Sequence, residues 1–239
     1  MLESAVEWDY IPANPFHARK KVKLPSLSKE QKGRALSPEE IRKLLASSEG
    51  DTYVINATAI LTGMRRGEVF GLPWDALDFE KNQINVRQSL FWKQGKYWAE
   101  EERGYVLVTP KSKASIRKID MSPQLRRILL EHRMRHGNPQ CGLVFVNREG
   151  KPMDPKNFAK RQFKVAVKAA GLGKVRFHDL RHTFGTLKIL QGENIKYVQV
   201  QMGHSSIRVT LDIYGHLLKD ANPKAAAKTD AMIFGERLS

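Results

Sequence analysis

Between Gln83 and Met121 the hydrophobic pattern of this chain changes period. On either side, apolar residues recur every three to four positions, as in helices that bury one face. Inside, "QINVRQSLF", "YVLVTP" and "SIRKIDM" alternate and are β-branched. That pattern predicts three strands of a small antiparallel sheet. The stretch 92–103, "WKQGKYWAEEER", reads as a long hairpin excursion. Helices before and after one block of strands give an α+β fold, mainly helical with a small three-stranded antiparallel sheet.

Capping residues mark the helices. Ser37 precedes Pro38, and Glu40 completes a capping box. An apolar helix over 51–62 is ended by Gly63, and "RRGEVFGL" forms a short one after it. Ser122 and Gly137 bracket another helix; Asp154, Pro155 and Gly171 bracket the next. A helix over Asp179 to Leu190 and two shorter ones near 194–202 and 206–214 close the domain. The expected organisation is a helical remnant over 1–16, a basic linker over 17–35, the main domain over 36–222 and a tail over 223–239. The linker region is basic: residues 17–34 hold seven Lys or Arg and one Glu. It reads either as a solvated tail or as a strap along a phosphate backbone.

Charge narrows the partners. The 239 residues carry 41 Lys+Arg against 25 Asp+Glu, a formal net charge of +16. That excess favours a polyanion, and its spread along the chain favours nucleic acid over a membrane surface. No apolar run approaches the ~20 residues of a membrane-spanning helix. The N-terminus lacks the pattern of a secretory signal. The lone Cys141 excludes an internal disulfide and a Cys-based zinc site. A cytoplasmic setting is the expectation.

The densest chemistry lies in "FHDLRHTFGT", residues 177–186. His178 and His182 have the spacing of a zinc pair, but Asp179 stands where a longer Glu would serve as base, and Arg181 would repel the ion. Phosphate fits better: Arg181 offers a planar fork and His178 lies at a positive helix end. His182 reads as a core histidine. In "LTGMRRGEVFGL", Arg65 opens a helix and Glu68 can hold it from three residues on. Lys111 falls on a tight turn between two strands. His204 fills the gap in "MGHSS", and Tyr214 lies ten residues further. Each also has an ordinary reading, as a surface ion pair, a turn lysine or a core aromatic.

The order "TGMRRGE", Lys111, "HDLRHTFGT", "MGHSS", "TLDIYGH" resembles the tyrosine recombinases, the phage-type site-specific integrases, from about residue 36 to about 220. The resemblance implies a tyrosine recombinase catalytic fold and metal- and ATP-independent breaking and rejoining of DNA through a 3′-phosphotyrosyl intermediate and a four-way junction. It implies Tyr214 as nucleophile, Arg65 and Arg181 as phosphate clamps, Lys111 as general acid, His178 as proton-transfer aid and His204 as a phosphate hydrogen-bond donor. Glu68 becomes a structural acid. Arg19, Lys20, Lys21, Lys23 and Lys113 become DNA contacts. No cofactor and no metal are assigned.

By the same resemblance the partner is double-stranded DNA, with a homotetramer on two duplexes and a monomer when free, and the origin is bacterial, phage or mobile-element. "AVEWDYIPANPF" looks like the end of a preceding DNA-gripping domain, and the tail, with Ala226, Met232, Ile233 and Phe234, like a segment that docks on a neighbouring subunit. Type IB topoisomerase-like cleavage and a DNA-binding protein without catalysis are the alternatives.

Overall fold

The computed structural model describes residues 2–12, 33–93, 104–110, 112–137, 139–218, 229, 231–233 and 235. The chain divides into two compact units, Met1–Lys32 and Gly33–Ser239. In the first, α1 (Leu2–Glu7) is followed by Trp8 and Tyr10, whose rings meet edge to face at 6.4 Å. The strap residues Arg19, Lys20, Lys21 and Lys23 lie outside the described residues.

The second unit opens with α2 (Pro38–Ala46), where the Ser37–Glu40 capping box forms as the sequence requires. The next helix, α3 (Gly50–Thr62), is buried on nearly every side. Its Thr58 and Thr62 hydroxyls donate to the carbonyls four residues back, at 2.8 and 2.6 Å. Burial therefore leaves neither hydroxyl unsatisfied. Gly63, at φ 62°, ends the helix in the left-handed region, which favours glycine. The short α4 (Arg66–Phe70) follows.

The β block is split more finely than the sequence pattern suggests. The strands are β1 (Leu77–Asp78), β2 (Gln83–Val86), β3 (Ser89–Lys93), β4 (Gly104–Val108) and β5 (Arg117–Asp120). Antiparallel β1–β2–β5 form the three-stranded sheet, and β3–β4 form a separate hairpin. "QINVRQSLF" thus serves both sheets. The break falls at Arg87–Gln88, where the Gln88 amide donates to the Gly71 carbonyl at 2.8 Å. At the ends of the expected excursion Lys93 pairs with Gly104, and residues 94–103 lie outside the described residues. Because β4 pairs with β3 and β5 with β2, the stretch around Lys111 connects two sheets rather than turning one hairpin.

Helix α5 (Pro123–His136) runs from its Ser122 cap to Gly137. Helices α6 (Pro155–Phe158) and α7 (Lys164–Ala169) are joined by a π-helical turn over Ala159–Phe163. The wider turn brings residues five apart toward one side, so Phe158 and Phe163 are both buried. They surround Phe177 with ring separations of 5.8 and 5.4 Å, and Phe70 joins them at 5.9 Å. Each such buried ring contributes roughly 1.5–3 kcal/mol.

The last helices are α8 (Phe177–Leu190), α9 (Ile195–Met202) and α10 (Ile207–Tyr214). Helix α8 begins two residues before the expected Asp179. Asp179 is its capping acid, accepting from the Arg176 backbone N–H at 2.8 Å. The core divides along α8: Phe177 and Leu180 join the large cluster, whereas Phe184 and Ile189 join a smaller one with Val198, Met202 and Tyr214. Among the described residues, no helix is long and apolar enough to cross a membrane.

Candidate active site

The seam between the two cores is where the sequence-selected residues meet. Helix α9 ends at Gly203, whose φ of 64° turns the chain and exposes consecutive carbonyls. Arg181 donates from Nη2 to the Met202 carbonyl at 2.6 Å, and Arg65 donates from Nη2 to the Gly203 carbonyl at 2.7 Å. Arg181 also donates from Nη1 to the Gly63 carbonyl at 2.7 Å. Two left-handed glycines, one ending α3 and one ending α9, thus provide the acceptors that set the guanidiniums side by side. Burial first, and then the charge of Arg65, pushes Arg181 below its ordinary pKa. A guanidinium held by two carbonyls stays charged at neutral pH.

Glu68 fixes the other side of Arg65. It accepts from the Arg65 backbone N–H and from Arg65 Nη1, each at 2.8 Å. Arg117, on β5, grips the same carboxylate in a fork at 3.1 and 2.9 Å. Its Nε donates to the Gln201 carbonyl at 2.7 Å. Both side chains are 3% exposed. Burial alone would raise the Glu68 carboxyl, but Arg117 and the Arg65 backbone and charge hold it below the ordinary range. The charged form is therefore built in.

His204 follows Gly203 directly and is buried, with Nδ1 2.9 Å from Thr210 Oγ1. Burial and the cations of Arg181 and Arg65 push its pKa down to about 4. His178 is likewise depressed to about 4 by desolvation, His182 and Arg181. Its side chain is nonetheless exposed, so water screens part of that push. The direction stands, and both rings are neutral at pH 7.

Tyr214 ends α10 and is 2% exposed. Its Oη lies 3.4 Å from His182 Nδ1, and burial raises its pKa to about 12, against the opposing pull of Arg181. The hydroxyl fits because residue 185 is glycine: a Cβ there would stand 2.5 Å from the Tyr214 Oη and 2.9 Å from Met202 Sδ.

Arg65, Glu68, Arg181, His204 and Tyr214 therefore converge as the sequence suggests, and His178 stands beside them at 5.0 Å from the His182 ring. His182 departs from its reading as a core histidine. It is half-buried and is the histidine within reach of Tyr214 Oη among the described residues. The available signal was its four-residue spacing from His178. Arg117 was missed altogether, although alternation along "SIRKIDM" puts it on the same inward face as Ile119. Lys111 lies outside the described residues, and Lys113 begins a short 3-10 turn, Lys113–Ser115. A groove beside the site carries Arg66, Lys164, Lys174 and Arg176 and ends at His178.

Residues 34–221 match the phage integrase family. The chain is 28% identical over 247 residues to the ICEBs1 integrase of Bacillus subtilis (strain 168), covering 98% of this chain and 63% of that protein. It is 31% identical over 233 residues to a "Tyrosine recombinase XerC-like" protein of Caldanaerobacter subterraneus subsp. tengcongensis, covering 90% and 59%. The chain thus spans about 60% of the length of these curated relatives. Its fold superposes on the Tn1549 transposon integrase, solved in complex with circular intermediate DNA, with a TM-score of 0.71 and 25% identity over 96% of this chain and 76% of that one. The convergent residues all fall within the matched span, and this chain belongs to the phage integrase family.

Proposed function

We propose that this chain is the catalytic part of a site-specific DNA recombinase that breaks and rejoins strands through Tyr214. The observation that carries this reading is the pairing of Arg65 and Arg181 on consecutive carbonyls, next to His204 and Tyr214. Two fixed guanidiniums can bind the non-bridging oxygens of one phosphate and stabilise the charge that grows in the transition state.

In the proposed step, Tyr214 Oη bonds to a backbone phosphorus and the 5′-oxygen leaves. The phenolic proton passes to a neutral imidazole; His182 is in reach and His178 stands behind it. Lys111 supplies the proton taken up by the leaving 5′-oxygen. His204 donates to the phosphate, with Thr210 holding its other nitrogen. A 5′-hydroxyl from a second duplex reverses the step, so the bond energy is stored covalently. The positive charge of Arg181 already opposes the burial that raises the Tyr214 pKa, and so favours the phenolate.

Double-stranded DNA is the proposed partner, with Arg66, Lys164, Lys174, Arg176 and Lys113 against its backbone, together with the strap residues Arg19, Lys20, Lys21 and Lys23. Four subunits on two duplexes are the proposed assembly, with a monomer when free. The tail is proposed to dock on a neighbour; its Met232 and Ile233 are 91% and 65% exposed. The setting is proposed to be the cytoplasm of a bacterium carrying the gene itself or on a phage or mobile element.

The test is covalent trapping on supercoiled plasmid at low salt, with chelator and no ATP, stopped by detergent. A protein–DNA adduct that disappears in Tyr214→Phe is expected. An adduct that persists in that variant would refute the assignment of the nucleophile.

A further inference from the structure

At the other end of α3 from Gly63, about 18 Å away by helical rise, three donor side chains come together. Asp51 is in the first turn of α3, and His132 and His136 lie four apart on one face of α5. Their ligand atoms all fall within 4.8 Å of one another. Asp51 Oδ1 is 3.0 Å from His136 Nε2 and 3.6 Å from His132 Nδ1.

The decisive atom is His132 Nδ1. His132 is 2% exposed, and its Nε2 lies 2.9 Å from the Val144 carbonyl oxygen. A carbonyl only accepts, so Nε2 carries the proton. In the neutral ring Nδ1 then presents a bare lone pair. That atom is buried, has no hydrogen-bond partner, and points toward a carboxylate oxygen. Two electron-rich atoms thus stand 3.6 Å apart.

We propose that Asp51, His132 and His136 form a binding site for a borderline divalent transition metal of the zinc type. Two imidazoles and one carboxylate suit such an ion, whereas calcium and magnesium prefer oxygen donors throughout. Bonds of about 2.0–2.1 Å in a tetrahedron place donors about 3.3 Å apart, between the two observed edges. The Val144 carbonyl provides the outer hydrogen bond that orients a metal-bound histidine. Trp74 stacks on the ring at 5.9 Å and Phe145 packs against it at 5.6 Å, fixing its plane. His136 is 39% exposed, which leaves room for water at a fourth position.

The ion would staple the start of α3 to the end of α5, remote from Tyr214, as a brace rather than a catalyst. This departs from the sequence reading, which assigns no metal and weighs one only around His178 and His182, with His204 as a third ligand.

The test uses the full chain without an affinity tag, with Cys141→Ser to remove the exposed thiol. The protein is stripped with chelator and titrated with zinc chloride by calorimetry, with thermal unfolding followed in parallel. One zinc per chain and a raised midpoint are expected. Asp51→Asn and His136→Ala, both at positions water already reaches, should weaken binding at least as much as the ~10–100-fold cost of a lost outer-shell partner. Their far-UV circular dichroism should match the parent. Cobalt should give tetrahedral visible absorption in the parent and lose it in both variants. Absence of stoichiometric binding, binding that survives both substitutions, or binding lost in His182→Ala instead would overturn the proposal.

Discussion

Glu68→Gln separates what holds the site from what performs its chemistry. Gln keeps the shape of the side chain but removes the charge that pairs with Arg117 and Arg65. Arg117 stays 3% exposed and charged, now facing a neutral amide. Removing one partner of a buried pair costs about 3–5 kcal/mol, because the other charge is left uncompensated. A domain of this size has about 5–15 kcal/mol in total. The loss converts to a fall in melting temperature of about 6–20 °C, at roughly 2–4 °C per kcal/mol. Arg65 is more exposed than Arg117, so its share of the loss is smaller.

The assay is thermal unfolding by circular dichroism of the parent, Glu68→Gln, Arg117→Met and the double variant. With both charges gone, no buried charge is orphaned, and most of the lost stability should return. Covalent trapping should not return, because Arg65 still lacks the acid that sets its fork. A single-variant loss under about 1 kcal/mol, the range of an exposed pair, would refute the reasoning. So would a double variant no more stable than the singles.

Three further outcomes follow from the same geometry. Gly185→Ala sets a helix-propensity gain of about 1 kcal/mol against an overpacking cost of about 1–3 kcal/mol. Since the new Cβ would sit 2.5 Å from Tyr214 Oη, the cost should win and the tyrosine should be expelled, read as increased acrylamide quenching of Tyr214 against a Tyr214→Phe blank. Stability should fall as pH drops from about 6.5 to about 4, because unfolding lets His204 bind a proton that its folded pKa of about 4 refuses; His204→Gln should reduce that slope in urea titrations, leaving the share of His178, whose pKa is depressed in the same direction. Below it, Glu68 adds a second loss as its depressed folded pKa is crossed. Lys164→Glu with Lys174→Glu should weaken DNA binding and reduce the log–log salt slope by about 1.8, at about 0.9 per lost phosphate contact; an unchanged slope would remove the groove from the interface.

The sequence by itself determined where α2, α5, α6 and α9 begin, because their caps are local. Ser37, Ser122, Asp154 and Asn194 each satisfy backbone N–H groups a few residues away, with no help from the rest of the chain. The order of the motifs, through its resemblance to the tyrosine recombinases, also grouped Arg65, Arg181, His204 and Tyr214. Tertiary structure alone decided how the strands divide, because pairing partners lie far apart in sequence and a single side-chain contact, Gln88 to Gly71, breaks what reads as one strand. It decided that Arg117 grips Glu68 across 49 positions, and that Asp51 meets His132 and His136. It also decided which of two neighbours on α8 lies nearer the tyrosine: His178 carries the motif, but His182 Nδ1 stands 3.4 Å from Tyr214 Oη. Spacing along a helix fixes which residues share a face; which partner that face meets depends on how α10 packs, and packing is a property of the whole core.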